Sequence, residues 1–193
     1  MEDESGREKW IEAGLKEIGH SGVGGVRVEV LAARLGITKG GFYRRFKDRR
    51  ALLDALLERW QRGRIAAIEK QTELAGERAG DRLKSLIRLY SERLNPEAMT
   101  IELAMRQWAR SDATASAAVE SVDAARLSNV AQLYRRLGWS AEEARARAVL
   151  LYAFIFGQSL IFLGPSLRKR ASMTEACAEI LIDVPAFDAE DST

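Results

Sequence analysis

A single glycine, Gly36, does most to limit what this chain can fold into. It lies between two apolar-patterned segments in the stretch from Val28 to Leu53, VEVLAARLGITKGGFYRRFKDRRALL. Leu31, Ala32 and Leu35 share one helical face just before it. A glycine next in line can adopt φ > 0 and end that helix without the penalty a Cβ brings. Ile37 is apolar and fits under the turn, and Thr38 is a good N-cap for a new helix. Phe42 and Phe46, four residues apart, fall on one face of that second helix and can dock on Leu31 and Leu35. Ala32 is small enough to let two helices cross closely. The pattern predicts a helix-turn-helix whose second helix runs from about Thr38 to Arg45.

The opposite face of that second helix carries the chemistry. Lys39, Arg44, Arg45, Lys47, Arg49 and Arg50 crowd around one acid, Asp48. Thr38, Lys39 and Gly40 open the helix, the part that reaches base edges when such a helix lies in the major groove. Gly41 has no side chain to hold the backbone away from a groove wall. Tyr43 offers a hydroxyl on a rigid ring, and Arg44, Arg45 and Arg49 can each neutralise a phosphate. Asp48 is placed to cap the next helix, whose free backbone N–H groups can face a phosphate. Basic runs are most often solvated surface, and helix-turn-helix geometry also occurs in proteins that never touch DNA. The turn, the cap and the interleaved Tyr43 favour double-stranded DNA.

Charge along the chain agrees. The formal net charge is +2, but residues 1–70 hold 15 Lys/Arg and 11 Asp/Glu, while residues 71–193 hold 15 and 17. The basic end is the helix-turn-helix end, which suits one domain for nucleic acid and one for another task. With 47% hydrophobic residues, three prolines and little strand-like alternation, the chain reads as all-α with ample core. Cys177 is the single cysteine, so a disulfide framework within the chain and a cysteine metal cluster are excluded; a small buried apolar residue is expected. His20, the single histidine, falls near the expected end of the first helix, where a dipole contact suits it better than catalysis. The acidic start, Met1 to Gly6, does not read as a secretion signal. Residues 148–163, AVLLYAFIFGQSLIFL, are too short for the roughly 20 residues a membrane crossing needs. A buried helix in a soluble cytoplasmic protein is expected there.

Helix boundaries can be placed along the rest of the chain. Ser5-x-x-Glu8 reads as a capping box opening a first helix that ends near His20. From Asp48 a long helix keeps its spacing through Leu52, Leu56, Trp60, Ile65 and Ile68 towards Gly76 and Gly80. Asp81 is expected to cap a helix with Leu83, Leu86, Ile87, Tyr90 and Leu94. Asn95-Pro96 is a cap followed by proline at the first helical position. Asp112 should start a helix to Leu137 ended by Gly138, and Ser140-x-x-Glu143 should open the helix of the apolar run, stopped by Gly164-Pro165. Ser172-x-x-Glu175 should open a last helix to about Val184. The acidic tail DAEDST is expected to be disordered.

Thr38, Lys39, Gly40, Phe42-Tyr43, Phe46, Asp48, Arg49 and Leu52-Leu53 together resemble the TetR family of bacterial transcription regulators. Upstream, Arg7-Glu8-Lys9 with Ile11, Ala13, Leu15 and Gly22 resembles its first helix, so the likeness covers roughly residues 7–56. Three positions depart from the pattern. Arg45 stands where His is common, Arg49 where Lys is common, and Arg27 where Ser or Thr often caps the second helix. The resemblance implies about nine helices, with a DNA-binding domain over 1–53 and an effector-binding and dimerisation domain over 54–193.

A helix that is apolar all round must be buried all round. For the run at 148–163, one side can face its own domain and the other the same helix of a second chain, with the last helix completing a four-helix interface. Gly157 and Ser159 allow close approach. The family's usual interface lies in its last two helices, so the resemblance implies a homodimer on a palindromic operator. It also implies a repressor released by a small molecule. Residues suited to lining an apolar pocket are Tyr90, Met99, Met105, Trp108, Tyr152, Phe156 and Gln158, which favours an apolar or aromatic effector. No nucleophile–base pair, metal-ligand spacing or phosphate-binding glycine loop stands out, so no catalytic residue, metal or cofactor is expected. Glu102 and Arg106, at i, i+4, read as a helix surface pair. The alternatives are a helical ligand-binding enzyme and an interaction module with a vestigial helix-turn-helix.

Overall fold

The computed structural model describes residues 2–73, 78–91, 96–158 and 167–183. Among them are α1 (Glu2–Gly25), α2 (Val28–Leu35), α3 (Lys39–Tyr43), α4 (Arg49–Glu73), α5 (Ala79–Ser91), α6 (Pro96–Ala109), α7 (Ala113–Arg136), α8 (Ala141–Gly157) and α9 (Leu167–Leu181). These nine helices, without a strand among the described residues, bear out the all-α expectation. The chain divides into two compact units, Met1–Glu69 with Asn95–Asp123 and Lys70–Leu94 with Ala124–Thr193. The expected boundary at 53/54 falls inside α4, and α6 belongs with the N-terminal helices.

In the first unit α1 packs on α2 and α6, and α2 on α3. Trp10, Ile18, Leu31, Phe42, Leu52, Leu56 and Met105 are fully buried. Removing such side chains from water, at ~25 cal/mol per Å² of apolar surface, is the main favourable contribution to this unit. α1 starts at Glu2, so Ser5 lies inside it and opens nothing. Glu8 accepts instead from Arg59 Nε at 2.9 Å. The continuous helix breaks at Gly22 (φ 68°), close to where His20 suggested its end.

Asp48 caps α4 as expected: its Oδ1 accepts from the Ala51 N–H at 2.8 Å. Asp112 likewise caps α7 through the Ala115 N–H at 3.0 Å, and α7 stops short of Gly138 (φ 97°). The same Asp112 carboxylate binds Arg50 at 2.5 Å, and this guanidinium holds its pKa below the usual carboxylate range. Arg50 also donates to Asp54 and to Thr114 Oγ1.

In the second unit α5 packs on α8 and α9, and α8 on α9. Their core holds Leu83, Ile87, Val130, Tyr134, Leu151, Ile155 and Ile182. Ser140 and Glu143 form the expected capping box at the start of α8. Three other boundaries are corrected. Gly80 lies within α5 and Asp81 in its first turn, because the Arg78 carbonyl already accepts from the Arg82 N–H at 3.1 Å. Ser172 lies inside α9, which begins at Leu167, and Glu175 pairs with Arg88 across α5 and α9 at 3.1 Å. The apolar run is not buried all round: Ala148, Leu151, Tyr152 and Ile155 are buried, whereas Val149 and Leu150 face outward. One face enters the unit's own core, Phe154 and Phe156 pack partly against it, and Val149 and Leu150 stay outside it. Cys177 is half-buried in α9. Gly76, Leu94, Asn95, Ser159, Gly164, Pro165, Val184 and the acidic tail lie outside the described residues.

Candidate nucleic-acid interface

Gly36 sits at φ 64°, ψ 28°, the left-handed conformation that the helix end requires. The Ile37 N–H donates to the Ala32 carbonyl at 3.0 Å and the Gly36 N–H to that of Ala33 at 3.3 Å. These two bonds complete a Schellman motif and satisfy carbonyls that the end of α2 leaves open. Thr38 occupies the N-cap position of α3 with an extended backbone, though its hydroxyl makes no capping bond. Arg27, at the N-cap of α2, makes none either. The two helices are therefore held by packing and by the glycine turn.

The packing centre is Phe42, wholly buried. It meets Trp10 of α1 edge-on at 5.2 Å, stacks with Phe46 at 5.4 Å and touches Tyr43 at 5.1 Å. The Arg7 guanidinium covers Phe46 at 5.1 Å. Trp10 was not singled out by sequence reasoning. Its position three residues after Arg7, on the face it shares with Ala13, was the available signal.

With Phe42 inward, each residue expected to meet DNA has a definite place. Thr38, Lys39, Gly40, Tyr43 and Arg44 are exposed, with Tyr43 61% accessible. Gly41 is buried: a Cβ there would come within 2.6 Å of Ile37 Cγ2, so packing under the turn accounts for the glycine. Arg45 is half-buried, lies against Gly6 and donates from Nη1 to the Gly41 carbonyl at 2.9 Å. Arg49 donates to the carbonyls of Val26 and Val23, each at 2.6 Å, fastening the start of α4 to the α1–α2 connection. Lys39 Nζ lies 2.8 Å from Glu29 Oε1 on α2. Hydrogen bonding within this pair lowers the pKa of the carboxyl and raises that of the ammonium.

The residues expected to line an effector pocket divide between the units. Met99, Met105 and Trp108 lie on α6 in the first, with Met105 and Trp108 buried. Tyr152, Phe156 and Gln158 belong to the second, and the Tyr90 side chain lies outside the described residues. Tyr152 and Phe156 stack at 6.1 Å, and the buried Arg126 guanidinium lies 5.9 and 5.6 Å from their ring centres. Sequence reasoning passed over Arg126, whose surroundings on α7, Ala125 and Leu127, give a weak signal. In the first unit an open cleft of about 370 Å³ is lined by Leu15, Trp60, Arg64 and Ile101 among others, and by none of the expected pocket residues.

Glu102 and Arg106 are not the surface pair their spacing suggested. Glu102 is 2% exposed and held by Arg106 Nη2 at 3.0 Å and Arg64 Nε at 3.3 Å, while Arg106 grips Asp123 with two bonds. A buried carboxylate requires such counter-charges, and this cluster accounts for all four residues structurally.

Residues 11–56 match the family described as bacterial regulatory proteins, tetR family. The chain carries the TetR-family segment and fold. Solved structures agree on the fold at low identity. A TetR-family transcriptional regulator of Agrobacterium tumefaciens superposes with TM-score 0.75 at 13% identity, covering 95% of this chain and 100% of that one. A putative transcriptional regulator of Saccharomonospora viridis, solved in complex with choline, gives 0.75 at 17%, covering 91% and 96%. A putative TetR-family regulator of Mesorhizobium loti gives 0.71 at 18%, covering 94% and 97%. Among curated proteins, none matches significantly. The TetR-family match begins one residue after Trp10 and includes all of α2 and α3. No described helix is long and apolar enough to cross a membrane.

Proposed function

We propose that this TetR-family chain is a cytoplasmic transcriptional repressor that binds a palindromic operator as a homodimer, leaves it when a small molecule binds, and performs no catalysis. The observation that carries the reading is the exposed strip Thr38, Lys39, Gly40, Tyr43 and Arg44 on a short helix locked from below by Phe42. Lys39 and Gly40 are assigned to base edges, and Tyr43 and Arg44 to phosphates. Arg45 and Arg49, whose guanidinium groups already serve main-chain carbonyls, position the helix more than they hold DNA. Gly41 contributes by its packing under the turn.

One such helix buries too little surface for tight, specific binding at physiological salt. A second copy related by two-fold symmetry doubles it and sets half-sites about 34–36 Å apart, or a multiple of that. Val149 and Leu150 on α8 and Met173 and Ile180 on α9 are each more than half exposed and supply the apolar face for that partner. The effector is assigned to the aromatic cluster of Tyr152 and Phe156 with Gln158, which suits an apolar or aromatic compound. Its signal would pass along α4 and α7, each of which has residues in both units.

Selection from a pool of random duplexes tests the reading. Enrichment of one palindrome, bound two chains per site and lost on Arg44→Ala, supports it. A pool that returns unenriched from binding at low salt would sink it.

A further inference from the structure

The ion pair between Glu29 and Lys39 joins the first turn of α2 to the first residue of α3, on opposite sides of the Gly36 turn. Both side chains remain more than half exposed, so the core does not need the pair. An acid beside a DNA-reading face is a liability in a protein that gains from neutralising phosphates, so its placement on the very lysine that opens α3 calls for a role.

We propose that Glu29 is a specificity-determining positioning residue that holds Lys39 for base readout and withholds it from phosphates. The proposal rests on the assignment of α3 to DNA. Sequence-independent affinity comes from cations that displace counterions around the phosphates. A lysine already neutralised by Glu29 displaces few, and so adds little to binding of random DNA. The pair also confines a long, flexible side chain to the N-terminal end of α3, where a helix in the major groove meets base edges. At a matching base, a fixed acceptor in the groove replaces the carboxylate, and a good base contact discriminates on the order of tenfold. An exposed ion pair is worth no more than about fivefold, so the exchange is favourable at the right base and indifferent elsewhere. Each partner stabilises the charged form of the other, in keeping with a pair that persists until an acceptor competes.

The test is a double-mutant cycle on the full chain, with Glu29→Gln, Lys39→Ala and the double variant passed through the same random-duplex pool. Binding to a random-sequence duplex is titrated against salt in parallel. Glu29→Gln should tighten random-duplex binding by about two- to fivefold and steepen the salt slope by roughly one. It should also flatten base preference at those positions that Lys39→Ala alters, and this flattening should vanish in the double variant. A Glu29→Gln effect that is the same with and without Lys39 would reveal a plain field effect and overturn the proposal. So would unchanged preference at the positions that Lys39 reads. If Lys39→Ala alters no base preference while Arg44→Ala weakens every sequence, the proposal fails and DNA binding by α3 stands. If the unaltered chain enriches nothing, both fail.

Discussion

Replacing Arg49 by Ala separates a residue that builds the interface from one that merely coats it. Its guanidinium makes two short bonds, both at 2.6 Å, to carbonyls 23 and 26 residues earlier in the chain. Hydrogen bonds involving a charged group contribute about 1.5–3 kcal/mol when sheltered. Arg49 is exposed and water competes for the same carbonyls, so about 1–2 kcal/mol for the pair is the working figure. For a chain of this size that corresponds to a fall in melting temperature of about 2–8 °C. Arg44→Ala, on the exposed face, should stay within about 0.5 kcal/mol of the parent. Thermal unfolding followed by circular dichroism gives both numbers, and salt titrations of DNA binding supply the complement. Arg44→Ala should reduce the salt slope by about one, whereas Arg49→Ala should lower affinity with little change of slope. An Arg49→Ala chain that melts within a degree of the parent yet loses one unit of slope would refute the reasoning and make Arg49 a phosphate ligand.

Further outcomes follow from the same geometry. Phe42→Ala, at a wholly buried ring with three aromatic neighbours, should cost about 3–5 kcal/mol in urea unfolding. Gly36→Ala must hold φ 64° with a Cβ and should cost about 1–2 kcal/mol in the same assay. Asp112 has its folded pKa depressed, so its contribution is present above the ordinary carboxylate value and lost as pH falls through the folded one. The stability gap between the parent and Asp112→Asn should therefore close on acidification below about pH 4. Tyr134, which donates to the Leu181 carbonyl, has its pKa pushed up to about 12 by burial. A raised folded pKa means stability held below the ordinary tyrosine value and lost as pH rises through the folded one, an alkaline loss that Tyr134→Phe should remove.

What the sequence revealed and what it concealed divide along the range of the forces involved. Gly36, Asp48, Asp112 and the Ser140–Glu143 box act within four residues of themselves, and each was legible from spacing alone. Ser5 and Ser172 matched the same capping pattern, but the helices run through them, because a helix that can extend upstream leaves its internal serine nothing to cap. The recognition strip was found by composition, yet composition could not assign partners. Arg44, Arg45 and Arg49 look alike in sequence, and only folding brings Gly6 to Arg45 and Val23 and Val26 to Arg49. The burial of Glu102 was hidden for the same reason: its cations come from α4 as well as from its own helix.

The contact between Trp10 and Phe42 has a bearing on how this protein can be taken apart. The ring under α3 belongs to α1 and sits just ahead of residues 11–56, while α6, from far along the chain, packs on α1 as well. The recognition helix is thus not a portable cassette. A fragment cut to the matched span would leave Phe42 facing water on one side, and a swap of α3 alone from a relative would set a foreign ring against Trp10. Transplanting operator preference into or out of this chain means moving Trp10, the α2–α3 pair and Arg49 as one block.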